Sequence, residues 1–153
     1  MTIIRDNVFA KPEAGLAESA RPNVLVGHFP PEGPGAEGDY AIHGNFFYQN
    51  RHEALLQGEG NVALDRNVFV NGHGDAVRIQ PHNDIPRRVV IAFNTVLAKG
   101  AGIVVAGRAG APEFRQDVSA NAVFAGTPIA ATQESRNIAA SLGEAASYLR
   151  APF

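Results

Sequence analysis

The stretch from 52 to 87 gathers residues that could do chemistry: His52 and Glu53, then His73, Asp75, Arg78 and Gln80, then His82, Asn83, Asp84 and Arg87. Two acids beside a cation are the material of general acid–base work. A carboxylate pair can also hold calcium, which takes several oxygen ligands. If the acids flank a glycosidic bond, their separation decides how it is hydrolysed. Arg78 carries a planar, permanently charged fork suited to clamping an anionic group. His52 and His73 do not stand at an i, i+4 spacing, so nothing argues for zinc. The chain has no Cys, which excludes disulfides and thiolate metal sites.

These residues can cooperate only if the fold stacks them, and a repeat predicts that it does. Aligning on Asn gives "TIIRDNVF" at Asn7, "YAIHGNFF" at Asn45, "VALDRNVF" at Asn67, "VVIAFNTV" at Asn94 and "DVSANAVF" at Asn121. The spacings are 38, 22, 27 and 27 residues. A weaker sixth copy, "RNIAASLG", puts Gly143 where the next Asn would fall. A second apolar run follows in each unit: "EALLQG", "DAVRIQ", "GAGIVVAG", "TPIAATQ", and "PNVLVGHF" in the first. Each unit therefore reads as three short strands, and a period of roughly 22 residues fits a β-solenoid. Stacked coils lie about 4.8 Å apart, so the five Asn would form an inward ladder, each amide bonded to the next. Asn also tolerates the left-handed backbone of a sharp corner. Phe9, Phe47, Phe69 and Phe124 would lie in or beside the core. A sandwich or antiparallel barrel also suits short strands, but neither calls for Asn in register five times.

Strand alternation then sorts the candidate residues. Val77 and Ile79 point inward, and Arg78 and Gln80 point outward. Leu55 is expected inward and Leu56 outward beside Arg78. Glu53 and Asp75 each follow an Asn by eight residues, which predicts that they stack on adjacent coils, near the separation of a retaining pair. His52 and His73 flank them, and "PHND" brings His82, Asn83 and Asp84 to the other edge. A purely structural reading competes: acids that begin strands, an Arg that bridges them, and a rigid "PHNDIP" turn.

The elements "NVF", "NFF", "NTV" and "NAVF", with "GDAVRIQ" and "GAGIVVAG", resemble right-handed parallel β-helix proteins of the pectate lyase and chondroitinase-type superfamily. The resemblance spans about Thr2 to Leu142 and selects no single family. It implies a right-handed parallel β-helix of five to six coils. It also implies a substrate groove along the sheet formed by the last strand of each coil. Enzymes of this kind abstract a proton beside a uronate carboxylate, with Arg or Lys as base and calcium held by acids. By that resemblance Arg78, His82, Glu53 and Asp75 are the catalytic candidates, with calcium on Glu53 and Asp75. His52, His73, Gln80, Asn83, Asp84 and Arg87 are the substrate-binding candidates. Binding or processing of an acidic polysaccharide is one expectation, by lyase or hydrolase chemistry. A non-catalytic structural or assembly segment is the other.

Length and composition agree with one domain over residues 1–153, with long loops near 10–22 and 28–40. The net charge of -2 offers no footprint for nucleic acid or for an acidic membrane surface. No apolar run approaches the length of a spanning helix, and no signal-peptide core opens the chain. The chain reads as cytosolic, or as an excised portion of a longer β-helix whose parent is secreted or periplasmic. "SLGEAASYLRAPF" predicts a short helix that caps the last coil. The first coil, with Ile3 and Ile4, has no such cover and is expected to mediate homo-oligomer formation.

Overall fold

The computed structural model describes residues 1–13, 20–27, 38–81 and 86–149. Strands account for 53% of it and helical turns for 5%. The first coil holds β1 (Thr2–Arg5), β2 (Val8–Ala10) and β3 (Val24–Val26). The second holds β4 (Asp39–His43), β5 (Phe46–Tyr48) and β6 (Leu56–Gly58). The third holds β7 (Asn61–Asp65), β8 (Val68–Asn71) and β9 (Val77–Ile79). In the fourth and fifth, the last two strands fuse: β10 (Arg88–Ala92) leads to β11 (Thr95–Val105), and β12 (Arg115–Ser119) to β13 (Ala122–Ala130). The chain then makes β14 (Glu134–Ser135), β15 (Ile138–Ala140), a 3-10 turn at Leu142–Glu144 and α1 (Ala145–Tyr148).

All strand pairings among the described residues are parallel, and equivalent strands of successive coils lie side by side. Hairpins of a sandwich are therefore absent from these residues, and the architecture is a solenoid-like stack. It has three faces. Face A is β1-β4-β7-β10-β12-β14. Face B1 is formed by β2, β5, β8, the first half of β11, the first half of β13 and β15. Face B2 is formed by β3, β6, β9 and the second halves of β11 and β13.

The corner between A and B1 holds the Asn column. The backbone N–H of Asn45, Asn67, Asn94 and Asn121 each donates to the next rung's Oδ1 at 2.9–3.0 Å, and the Nδ2 groups reach the same oxygens at 3.0–3.1 Å. Each of these Nδ2 groups also donates to a carbonyl of the previous coil: Ile4, Ile42, Leu64 and Ile91. Every amide thus has partners on both sides, which burial demands. The sixth rung is Asn137, 16 residues after Asn121, and not the position of Gly143. The last coil is shorter than its predecessors, so the period misplaces its corner.

The left-handed backbone is displaced from expectation by one residue. Asp6, Gly44, Arg66, Phe93, Ala120 and Arg136 have φ between 53° and 66°, and each precedes a ladder Asn. That residue turns the corner, which leaves the Asn extended with its N–H and Nδ2 aimed along the stack. A left-handed non-Gly residue costs about 1–2 kcal/mol, so five of the six corners store strain that the amide bonds offset.

Inside, Phe9, Phe47 and Phe69 stack with centroids 5.1 and 4.5 Å apart. Val96 and Val123 continue their column in register. Phe124 is buried too, but it points outward between Val123 and Ala125, beneath the ring of Tyr148 at 5.4 Å. The C-terminal turn therefore covers the outside of B1 and not the end of the stack. Ala139, in register with core Val123, is exposed. At the other end Ile4 lies in the core column with Ile42, whereas Ile3 faces out of face A.

Asn94→Ala removes the acceptor shared by the N–H and Nδ2 of Asn67 and the side-chain donor to the buried Leu64 carbonyl. It should lower stability by about 2–4 kcal/mol, measured by denaturant unfolding, while Asn7→Ala in the more exposed first coil costs less than half as much. Gly44→Ala should cost about 1–2 kcal/mol by forcing a side chain into the left-handed corner; an unchanged midpoint would show the strain to be absent.

Candidate functional site

A second, shorter Asn column marks the corner between B1 and B2. Asn50 donates through Nδ2 to Asn23 Oδ1 at 2.9 Å and through its N–H to Asn71 Oδ1 at 3.3 Å. Asn50 Oδ1 accepts the N–H groups of His52 and Glu53 at 3.0 and 2.9 Å. Asn71 Oδ1 accepts the N–H of His73 at 3.1 Å. The backbone that carries the candidate His and Glu is thus pinned by local side-chain bonds of the kind Asn makes in turns.

This corner also overturns the expected stacking of the acids. Asn50 follows its ladder Asn by five residues, Asn71 by four. The additional residue is Gln49, left-handed at φ 57°. On B2 the register is therefore Leu56 with Val77 and Gln57 with Arg78. Leu56 points inward, and Gln57 takes the outward place beside Arg78. Glu53 consequently does not stand level with Asp75, because a slip of one residue along a strand changes every pairing and every face.

Arg78 Nε donates to Asp75 Oδ2 at 2.7 Å. Asp75 Oδ1 accepts the N–H of Ala101 at 2.7 Å from the next coil. This approach requires Gly100, where a Cβ would collide with Asp75 Oδ1. Partial burial pushes the Asp75 carboxyl up, but the Ala101 N–H and the Arg78 guanidinium together outweigh it and hold it below the ordinary carboxylate value. Glu53 accepts a bond from Gln57 Nε2 at 2.6 Å.

Two adjoining hollows result. One, of about 410 Å3, is lined by Leu25, Glu53, Gln57, Glu59, Arg78 and Gln80. The other, of about 180 Å3, reaches His52 and Asp75 and shares Glu53, Gln57 and Arg78. Together they form a polar groove on the outside of B2 over the first three coils. Glu53, Asp75, Arg78, His52 and Gln80 meet there. His73 lines neither hollow; its Nε2 is buried 3.9 Å from Glu13. Arg87 sits against face A, where its N–H donates to Asn61 Oδ1 at 2.8 Å. His82, Asn83 and Asp84 lie outside the described residues.

Gln57 and Glu59 were missed by the sequence pattern. Gln57 was hidden by the one-residue slip. Glu59, in "QGEGN", is 5% exposed although it lines the groove. A carboxylate between two glycines at a strand exit reads as a turn, and only the coil stacking buries it.

Among the described residues no three His, Asp or Glu side chains are grouped as a metal site. Each Asp75 oxygen accepts one hydrogen bond, Oδ1 from the Ala101 N–H and Oδ2 from Arg78 Nε. No helix among them is long and apolar enough to cross a membrane. No family model matches the chain, and neither a curated protein nor a solved structure matches it.

The pH behaviour follows from the lowered Asp75 value. The group binds a proton more readily when unfolded, so its contribution is complete well above the ordinary carboxylate value of 3.8 and is lost as pH falls through the lower folded value. Asp75→Asn should therefore cost about 1 kcal/mol at pH 7, discounted for solvent access. The gap to the parent chain should narrow as pH falls below the ordinary carboxylate range and through the lowered folded value, as read from unfolding midpoints over an acid pH series.

Proposed function

We propose that the protein is a right-handed parallel β-helix module that binds an acidic polysaccharide along the B2 groove. The observation that supports this most is the placement of Arg78. Its Nε is tied to Asp75, which fixes the side chain, and its partly exposed guanidinium lines both hollows beside Gln57 and Gln80. A positioned guanidinium favours a planar carboxylate, and two amides favour sugar hydroxyls. Arginine stays charged at any accessible pH, so in this reading Arg78 clamps a uronate and is not the base. Leu25, on the same outward column as Gln57 and Arg78, offers an apolar patch for a sugar face.

A second reading, that the groove also cleaves its ligand, is favoured by Glu59. Glu59 lines the same hollow as Glu53, and two carboxylates flanking a bound glycan are the material of acid–base cleavage. Glu53, more accessible and bonded to Gln57, is the complementary acid.

Binding should be measured by calorimetry against pectate, alginate and chondroitin, with an uncharged glucan as control. The charged glycans should bind more weakly as salt rises. Arg78→Ala should lower affinity at least tenfold, about 1.4 kcal/mol, and Arg78→Lys should recover part of it. Absence of binding to all three polymers, or indifference to Arg78→Ala, refutes the proposal. Release of unsaturated product or reducing ends, with and without calcium, and its loss in Glu59→Gln, decides the second reading.

A further inference from the structure

The outer side of B1 is apolar apart from Thr95. Val8, Phe46, Val68 and Ile138 form one outward column, in register through Thr95 and Ala122. Ala10, Tyr48, Val70, Leu97 and Phe124 form the other. Val8 is 70%, Phe46 37%, Tyr48 42%, Val68 38% and Ile138 44% exposed. Phe46 and Tyr48 lie together, centroids 5.8 Å apart.

Among the described residues only one half of this face is covered. Over the fifth coil Tyr148 packs on Phe124, in the column that holds Tyr48. The covering turn itself leaves Tyr148 52%, Leu142 36% and Leu149 36% exposed. The face therefore has a bare aromatic half over the early coils and, beside it, a raised half of exposed apolar side chains. Monomeric proteins seldom expose a continuous patch of this kind.

We propose that the outer B1 face is the contact between two copies of this chain, related by a two-fold axis through its middle. Such an axis sets the C-terminal turn of each copy on the bare half of the other, so that Tyr148 of one meets Phe46 and Tyr48 of its partner. A two-fold contact requires a surface complementary to itself, and the two halves supply it. The chain's own packing of Tyr148 on Phe124 shows that this column accepts an aromatic ring. The strip is two side chains wide and about 24 Å long, less than the roughly 800 Å2 per partner of a standard interface. The dimer is therefore weak and concentration-dependent.

Sedimentation of the full chain over a concentration series tests this. A monomer–dimer equilibrium is expected, with the dissociation constant raised at least tenfold by Phe46→Glu or Val68→Lys at unchanged circular dichroism. A direct test uses the absence of cysteine. Tyr48→Cys/Tyr148→Cys should form dimers under mild oxidation. Within one chain Tyr48 and Phe124, on which Tyr148 packs, are three strand spacings apart along their column, about 14 Å, too far for a disulfide. A monomer at all concentrations overturns the proposal, the sharpest case being one that dimerises only after residues 150–153 are removed, since the chain then covers its own face. Open, growing assemblies insensitive to Phe46→Glu overturn it too, because they would place the contact at the coil ends.

Discussion

The amide of a buried Asn at each A–B1 corner is the constraint on which the stack depends. Its oxygen satisfies the backbone and side chain of the rung before, and its nitrogen satisfies a carbonyl of that same coil. The geometry works only if the preceding residue is left-handed, and the chain accepts that at Asp6, Arg66, Phe93, Ala120 and Arg136 without a glycine. The corner is thus specified by the amide and tolerated by its neighbour. With the corner in place, the Phe stack, the parallel register of A and the start of B1 follow, because each coil enters the next face at the same height.

The B1–B2 corner is specified less tightly, and that looseness shapes the groove. The residue added at Gln49 shifts one coil against the next, so Gln57 comes to lie beside Arg78. From the fourth coil the corner is absent altogether: β11 runs through, and Gly100 lets its backbone close on Asp75. Asp75 thereby serves the fold and the groove at once. It secures the fourth coil to the third and orients the guanidinium that faces solvent.

The three faces share one core and differ outside. A carries small apolar residues with charged ends, B1 an aromatic and aliphatic strip, B2 a polar groove. A solenoid permits this because only every second residue of a strand is committed to the interior. The outward residues are left to be chosen for contact or ligand.

The sequence by itself determined the parallel stack, five of the six ladder positions and the outward placement of Arg78 and Gln80. A repeated Asn-x-Phe spacing and period-two alternation are local signals, and stacking repeats them without distortion. The sixth rung at Asn137 was not legible, because its coil is shorter than the period that predicted Gly143. Tertiary structure alone decided that Leu56 turns inward, that Glu53 and Asp75 are not level, and that Arg87 belongs to face A. It also decided that Glu59 is buried and that the C-terminal turn lies on B1 instead of closing the end. Each of these depends on how many residues a corner absorbs. A corner's length is set by which backbone groups the neighbouring coil leaves to be satisfied, and a single chain read in one dimension does not contain that neighbour.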